Sequence, residues 1–174
     1  MRVLQISSLV FLLVTSSSAF GFQTRRFTRD DIEYEMEFPS SAWRAVSRLD
    51  VHDHLDFVNG ADPANGYLRL RKIFVEQPST PSELFSQDDK WELQRLPSYV
   101  VCSDCKGVSF EGKLSGAAFS YEYVSGGRAM YGRIYYLQID KRTFYSLRFT
   151  VACDKLAELR GEMDVIARSF RLKR

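Results

Sequence analysis

A chain of 174 residues is enough for one ordinary domain and short for two. Hydrophobic residues make up 45% and charged residues 26%, which excludes a disordered chain. Lys and Arg total 24 against 22 Asp and Glu, a net charge of +2, which argues against a dedicated nucleic-acid or polybasic membrane surface. Three cysteines are too few for a disulfide-stapled mini-protein and leave one over after a single pair. Aromatic residues reach 14%, a composition that favours sheet.

The first segment reads as an address. Met1 and Arg2 give a positive start, Val3 to Val14 is mostly apolar, and Thr15 to Ala19 is small and polar. That order predicts a secretory signal peptide over 1–19, with Ser17 and Ala19 before the cleavage point and Gly21 as the other candidate site. The apolar run has about twelve residues against the roughly 20 needed to cross a bilayer, so no stable membrane insertion is expected after its removal. Ala19-Phe20 also resembles the cleavage site of plastid-targeting leaders in some algae. Residues 20–31 are polar and basic in their second half and read as a flexible lead-in. The remainder is large enough to bury roughly 68–70% of its unfolded surface without help from a metal.

The mature chain reads as strands with two helices. Ile32, Tyr34, Met36 and Phe38 alternate with acidic residues, the period of a half-buried strand, which Pro39 ends. Trp43 to Leu49 and Leu55 to Val58 are candidate short strands. Asn59-Gly60, Pro63 and Asn65-Gly66 mark a turn-rich connection. Tyr67 to Val75 follows as a strand, with Leu68, Leu70 and Phe74 on one face and Arg69, Arg71 and Ile73 on the other. The basic run Arg69, Arg71 and Lys72 reads as a solvated sheet edge that discourages aggregation. Thr80-Pro81-Ser82-Glu83 predicts a capped helix running to about Arg95, with Leu84, Phe85 and Trp91 inward. Ala117 to Val124, Ala129 to Ile139 and Thr143 to Val151 form an antiparallel meander, the first pair joined by Gly126-Gly127. Ala129 to Ile139 is apolar on both faces, as suits a central strand covered by a helix on at least one side. Asp154 is the expected N-cap of a last helix whose Leu156, Leu159, Met163, Ile166 and Phe170 form one stripe.

An N-terminal strand closing on Phe38-Pro39-Ser40 with Trp43 just after, a mid-chain helix, an antiparallel meander and a final helix ending Ile166-Ala167-Arg168-Ser169-Phe170 resemble the PsbP/Mog1/DcrB-like superfamily. The chain is read as a secreted bacterial member of that group. The resemblance implies an α/β/α sandwich around a mostly antiparallel sheet, as a single domain over 32–172. It also implies a fold used to bind partners, generally without catalysis.

Two clusters can be weighed for chemistry. Cys102-Ser103-Asp104-Cys105 is a C-x-x-C, but the residues around it read as strands, without the helix start that activates a redox thiol. A local disulfide in an oxidising compartment is the simpler reading, with redox or metal chemistry at Cys102 and Cys105 the alternative. Cys153 is expected to remain unpaired with either. His52, His54 and Asp56 would point to one side of a strand and are weak candidates for a metal. No G-x-S-x-G, G-x-x-x-x-G-K, H-E-x-x-H or G-x-G-x-x-G is present, and nothing implies a cofactor. The expected function is therefore a non-enzymatic secreted or periplasmic domain that binds an unidentified protein or small ligand through its sheet or loops. A thiol-redox or metal-handling protein is the alternative.

Overall fold

The computed structural model describes residues 24–46, 54–102 and 107–173. The signal segment, His52 and Cys105 lie outside the described residues. In chain order the strands are β1 (Arg25–Phe27), β2 (Tyr34–Phe38), β3 (Trp43–Ala45), β4 (His54–Asn59) and β5 (Tyr67–Phe74). Helix α1 (Pro81–Trp91) follows, then β6 (Val100–Val101), β7 (Val108–Glu111), β8 (Ser115–Ser125), β9 (Arg128–Gln138) and β10 (Thr143–Ala152). Helix α2 (Leu156–Ser169) and β11 (Arg171–Leu172) close the chain.

Every strand pairing is antiparallel. The main sheet runs β3-β4-β5-β10-β9-β8-β6, with β7 also on β8. Tight turns set its centre: Gly126 and Gly127 both have positive φ, which a two-residue hairpin of this twist requires. The expected N-terminal strand is present, but it sits in a separate sheet, β1-β2-β11. The lead-in thus contains a strand, because Arg25–Phe27 pairs with Met36–Phe38 along the free edge of β2.

The main sheet has two covered faces. Its inner face carries Leu55, Phe57, Leu68, Leu70, Tyr145, Leu147 and Phe149 against α2 and the small sheet. The α2 stripe points there: Leu159, Met163, Ile166 and Phe170 are all buried. The Phe170 ring lies 4.9 Å from that of Tyr145 and 5.0 Å from that of Tyr34. On the outer face α1 buries Leu84 over Phe119, Tyr121, Ile134, Tyr136 and Phe144. The result is the expected α/β/α sandwich.

Four local expectations need correction. Trp91 is 59% exposed, because Leu93 in the turn after α1 takes the inward position instead. Phe74 is 70% exposed, past the end of the layer that covers Leu68 and Leu70, and the Lys72 ammonium sits 4.9 Å from its ring. Asp154 does not cap α2. It lies in a preceding 3-10 turn, and its carboxylate accepts from Arg128 at 3.0 and 3.1 Å. Strand β5 is interior, between β4 and β10, so the Arg69, Arg71 and Lys72 run is not a sheet edge. Ion pairs make the run tolerable in the middle of a sheet: Arg69 to Asp56 and Lys72 to Glu33.

Glu33 ties the two sheets together, accepting from Lys72 and from the Tyr145 hydroxyl. The hydrogen bonds from Lys72 and then Tyr145 hold its carboxyl below the ordinary glutamate value of 4.5. A carboxyl lowered by folding stabilises at neutral pH, and that contribution fades as pH falls through its lowered value. Glu33→Gln is therefore expected to flatten the acid side of a plot of Tm against pH, and an unchanged acid limb would refute the link.

Candidate functional site

Among the described residues, helix α1 packs mainly over the β8–β9 side of the outer face. The rest is a shelf on β3, β4, β5 and β10. Cross-strand register fixes which side chains stand there, since directly paired residues share a face. Arg69 lies opposite Asp56 on one side and Arg148 on the other. Arg71 lies between His54 and Ser146, and Tyr67 between Val58 and Thr150. Arg44 stands opposite Val58. At one end the shelf deepens into an open concavity of about 440 Å³ lined by Pro63, Tyr67, Arg69, Tyr123, Met130 and Arg148. That volume is within the usual range of ligand clefts, roughly 300–1,000 Å³.

Two like charges facing each other across neighbouring strands repel. Here each is neutralised from the flank. Arg69 donates to Asp56 at 3.1 Å and to the Tyr67 hydroxyl at 2.8 Å. Arg148 donates to Asp88 at 3.0 Å and Glu92 at 2.8 Å, both on or next to α1. Asp88 also accepts from the Tyr136 hydroxyl. Burial works against the Arg148 charge, but Tyr121, Asp88 and Glu92 outweigh it, and the guanidinium is held above its ordinary value. Burial, then the Asp56 carboxylate, pushes the Tyr67 hydroxyl up to about 12, and burial also raises Tyr123. Both phenols stay neutral and able to donate at physiological pH.

Gly132 shapes the inner margin of the shelf. A Cβ there would lie 2.1 Å from Cζ of Tyr121, whose ring covers that stretch of β9. The bare backbone at Gly132 leaves the space that the Tyr121 ring occupies.

The weak metal candidates are divided. His54 and Asp56 stand on β4 at the rim of the shelf, with Nε2 of His54 3.3 Å from Oδ2 of Asp56. Asp56 also serves Arg69, and a carboxylate already bonded to a guanidinium is a poor cation ligand. His52 lies outside the described residues. Among the described residues no group of three His, Cys, Asp or Glu side chains is placed to hold a metal ion.

Cys102 follows β6 directly, packs partly buried against the inner core, and its N–H donates to Ser120 O at 3.2 Å. The described chain resumes at Gly107 and enters β7 at Val108. The motif thus stands between two strands that both pair with β8. Cys105 lies outside the described residues. Cys153 is far along the chain, half-buried, its thiol raised by burial and then by Glu122 and Asp154.

A second polar cluster lies on the inner face, where sequence reasoning marked nothing. Ser120 Oγ accepts from the Tyr131 hydroxyl at 2.7 Å, and Arg133 donates to the Tyr135 hydroxyl at 2.7 Å. Asp164 on α2 accepts from Tyr135 and from Arg133 at 3.4 Å. Its only carboxylate is bonded to a guanidinium and a phenol, not to the serine. The cluster pins α2 to the sheet and makes no nucleophile.

These features define a class: an α/β/α sandwich on an antiparallel sheet, with a polar and aromatic shelf and no assembled catalytic set among the described residues. The particular fold is that of PsbP and Mog1. LpqN, involved in cell envelope biogenesis of Mycobacterium tuberculosis, superposes with a TM-score of 0.57 at 16% identity over 87% of this chain and 92% of its own. The cyanobacterial PsbP of Synechocystis gives 0.58 at 12% identity over 92% and 99%. The Ran-binding protein Mog1p of Saccharomyces cerevisiae gives 0.57 at 9% identity over 87% and 95%. No protein-family model matches the sequence, and no curated protein matches it by sequence. At these identities the likeness shows the fold, and the fold does not by itself fix the function.

Proposed function

We propose that this chain is a non-enzymatic, secreted or periplasmic binding domain, built over 32–172 with β1 added at its edge. It engages a protein partner or small ligand through the shelf. The observation that carries this reading is the half of the outer face that no described element covers, where Tyr67, Tyr123, Met130, Arg69 and Arg148 line one concavity. Tyr and Arg are the residues enriched where proteins meet, and a covered sheet face would ordinarily be apolar. Mog1p, a Ran-binding protein, is an example of this fold engaging another protein.

A photo-crosslinking residue placed at Tyr67 or Tyr123 in the native host tests it. The expected result is a discrete crosslinked species from both positions and none from Gln87, which lies on α1 outside the shelf. Equal labelling from Gln87, or none from the shelf, overturns the reading. N-terminal sequencing of the mature protein is expected to begin at Phe20 or Phe22.

The reading takes Cys102 and Cys105 as a local disulfide closing the link between β6 and β7. The enclosed loop is very short, so the unfolded chain loses little freedom when it closes. The Cys102→Ser, Cys105→Ser double variant is expected to lose no more than about 2 kcal/mol relative to the parent. Loss of a disulfide-exchange activity in that variant would instead favour thiol chemistry.

A further inference from the structure

We propose that the shelf docks an acidic segment of a protein partner, with Arg44 and Arg71 meeting its carboxylates and the Tyr67–Tyr123–Met130 concavity taking its apolar side chains. This rests on the binding reading above and names the class of partner.

The charge arrangement carries the inference. Four guanidiniums stand on the shelf strands β3, β5 and β10: Arg44, Arg69, Arg71 and Arg148. The described carboxylates that face them are Asp56 on β4 and Asp88 and Glu92 at α1. All three are committed, Asp56 to Arg69 and the other two to Arg148. Arg44 and Arg71 have no ion-pair or hydrogen-bond partner among the described residues, although Arg71 is half-buried in the middle of an interior strand. Its cross-strand neighbours are His54 and Ser146, and neither brings a negative charge. Keeping a half-buried guanidinium without a carboxylate costs free energy, and an incoming carboxylate recovers it.

The two ends of the shelf differ. At the β8–β9 turn Arg128 sits with two carboxylates, Asp62 at 3.8 Å and Asp154 at 3.0 Å. Among the described residues the unpaired positive charges therefore stand on β3 and β5, whereas Met130 and Tyr123 lie on β9 and β8, toward the β8–β9 turn. A free anion would use only the first. A chain segment with acidic residues followed by an aromatic or aliphatic one matches both.

The experiment titrates the full-length mature protein with a fluorescent peptide of alternating Glu and Tyr, and with a Lys-Tyr peptide of equal length. Binding of the acidic peptide alone is expected, weakening as salt rises. The Arg44→Glu, Arg71→Glu variant is expected to weaken it about tenfold or more. The Lys113→Glu, Lys141→Glu variant carries the same charge change on turns away from the shelf and is expected to bind as the parent does. Circular dichroism confirms that both variants fold. Equal binding by the two peptides overturns the proposal, as does an affinity unchanged in the Arg44, Arg71 variant. So does binding to anionic vesicles or inorganic phosphate in place of the peptide. If shelf crosslinks form in the host while the charge reversals change nothing, the acidic partner fails and the binding role stands. If no crosslink forms, the binding role itself fails.

Discussion

Phe170→Ala is expected to cost about 3–5 kcal/mol of stability, the range for removing a fully buried aromatic ring. Phe170 has no exposed surface and lies where three layers of side chains meet. Its ring stacks on Tyr34 of β2, tilts against Tyr145 of β10, and follows the last turn of α2. It thus joins the small sheet, the main sheet and the helix at one point. The neighbours cannot collapse into the gap, because Tyr145 is fixed to Glu33 and the end of α2 is held by Ser169, whose hydroxyl accepts from the N–H of Glu37 at 2.8 Å. A urea titration measures the loss. A midpoint unchanged from the parent would mean that the α2 stripe does not carry the inner core. Phe170→Leu keeps most of the volume and is expected to lose clearly less.

The parts of this fold that sequence reading recovers are those governed by local period. The α2 stripe and the β8–β9–β10 meander repeat over ten or more residues, long enough for one face to be unmistakable. Turn chemistry was equally legible, since Gly126-Gly127 must take positive φ and the Thr80–Glu83 capping box is fully formed. What was missed depends on how elements meet. Periodicity gives Trp91 and Phe74 a face, but not how far the neighbouring layer extends over it. The same limit hid the shelf. Tyr67, Arg69 and Arg71 alternate on β5, and Ser146, Arg148 and Thr150 alternate on β10, yet only strand order sets them side by side. Read as a sheet edge, the β5 arginines looked solvated; placed between β4 and β10, they become the middle of a surface. The polar alternation along β5 and β10 was the available signal. Strand β1 escaped notice because Arg-Arg-Phe carries no period of its own and gains its form from β2.

Arg148→Ala is expected to loosen α1 from the sheet and cost about 3 kcal/mol, the lower end of the range for breaking a buried ion pair by removing one partner. The side chain of Arg148 is 23% exposed and that of Asp88 16%, so neither charge is well hydrated. Deleting the guanidinium leaves Asp88 with only the Tyr136 hydroxyl and leaves Glu92 without its partner. It also leaves the Asp88 carboxylate near the Tyr121 phenol with no positive charge to offset it. Because α1 closes over Phe119 and Tyr136, its release would expose the outer core cluster. Hydrogen exchange distinguishes this from a general loss of stability: amides of α1 should lose protection well before those of β9 and β10. Arg148→Lys is the sharper variant. A single ammonium keeps the charge but lacks the planar fork that reaches Asp88 and Glu92 at once, so it should recover part of the stability and not all of it. If α1 and the central strands open together in Arg148→Ala, the ion pairs to Asp88 and Glu92 are not what holds the helix, and the border of the shelf is set by the apolar contacts of Leu84, Phe85 and Leu93.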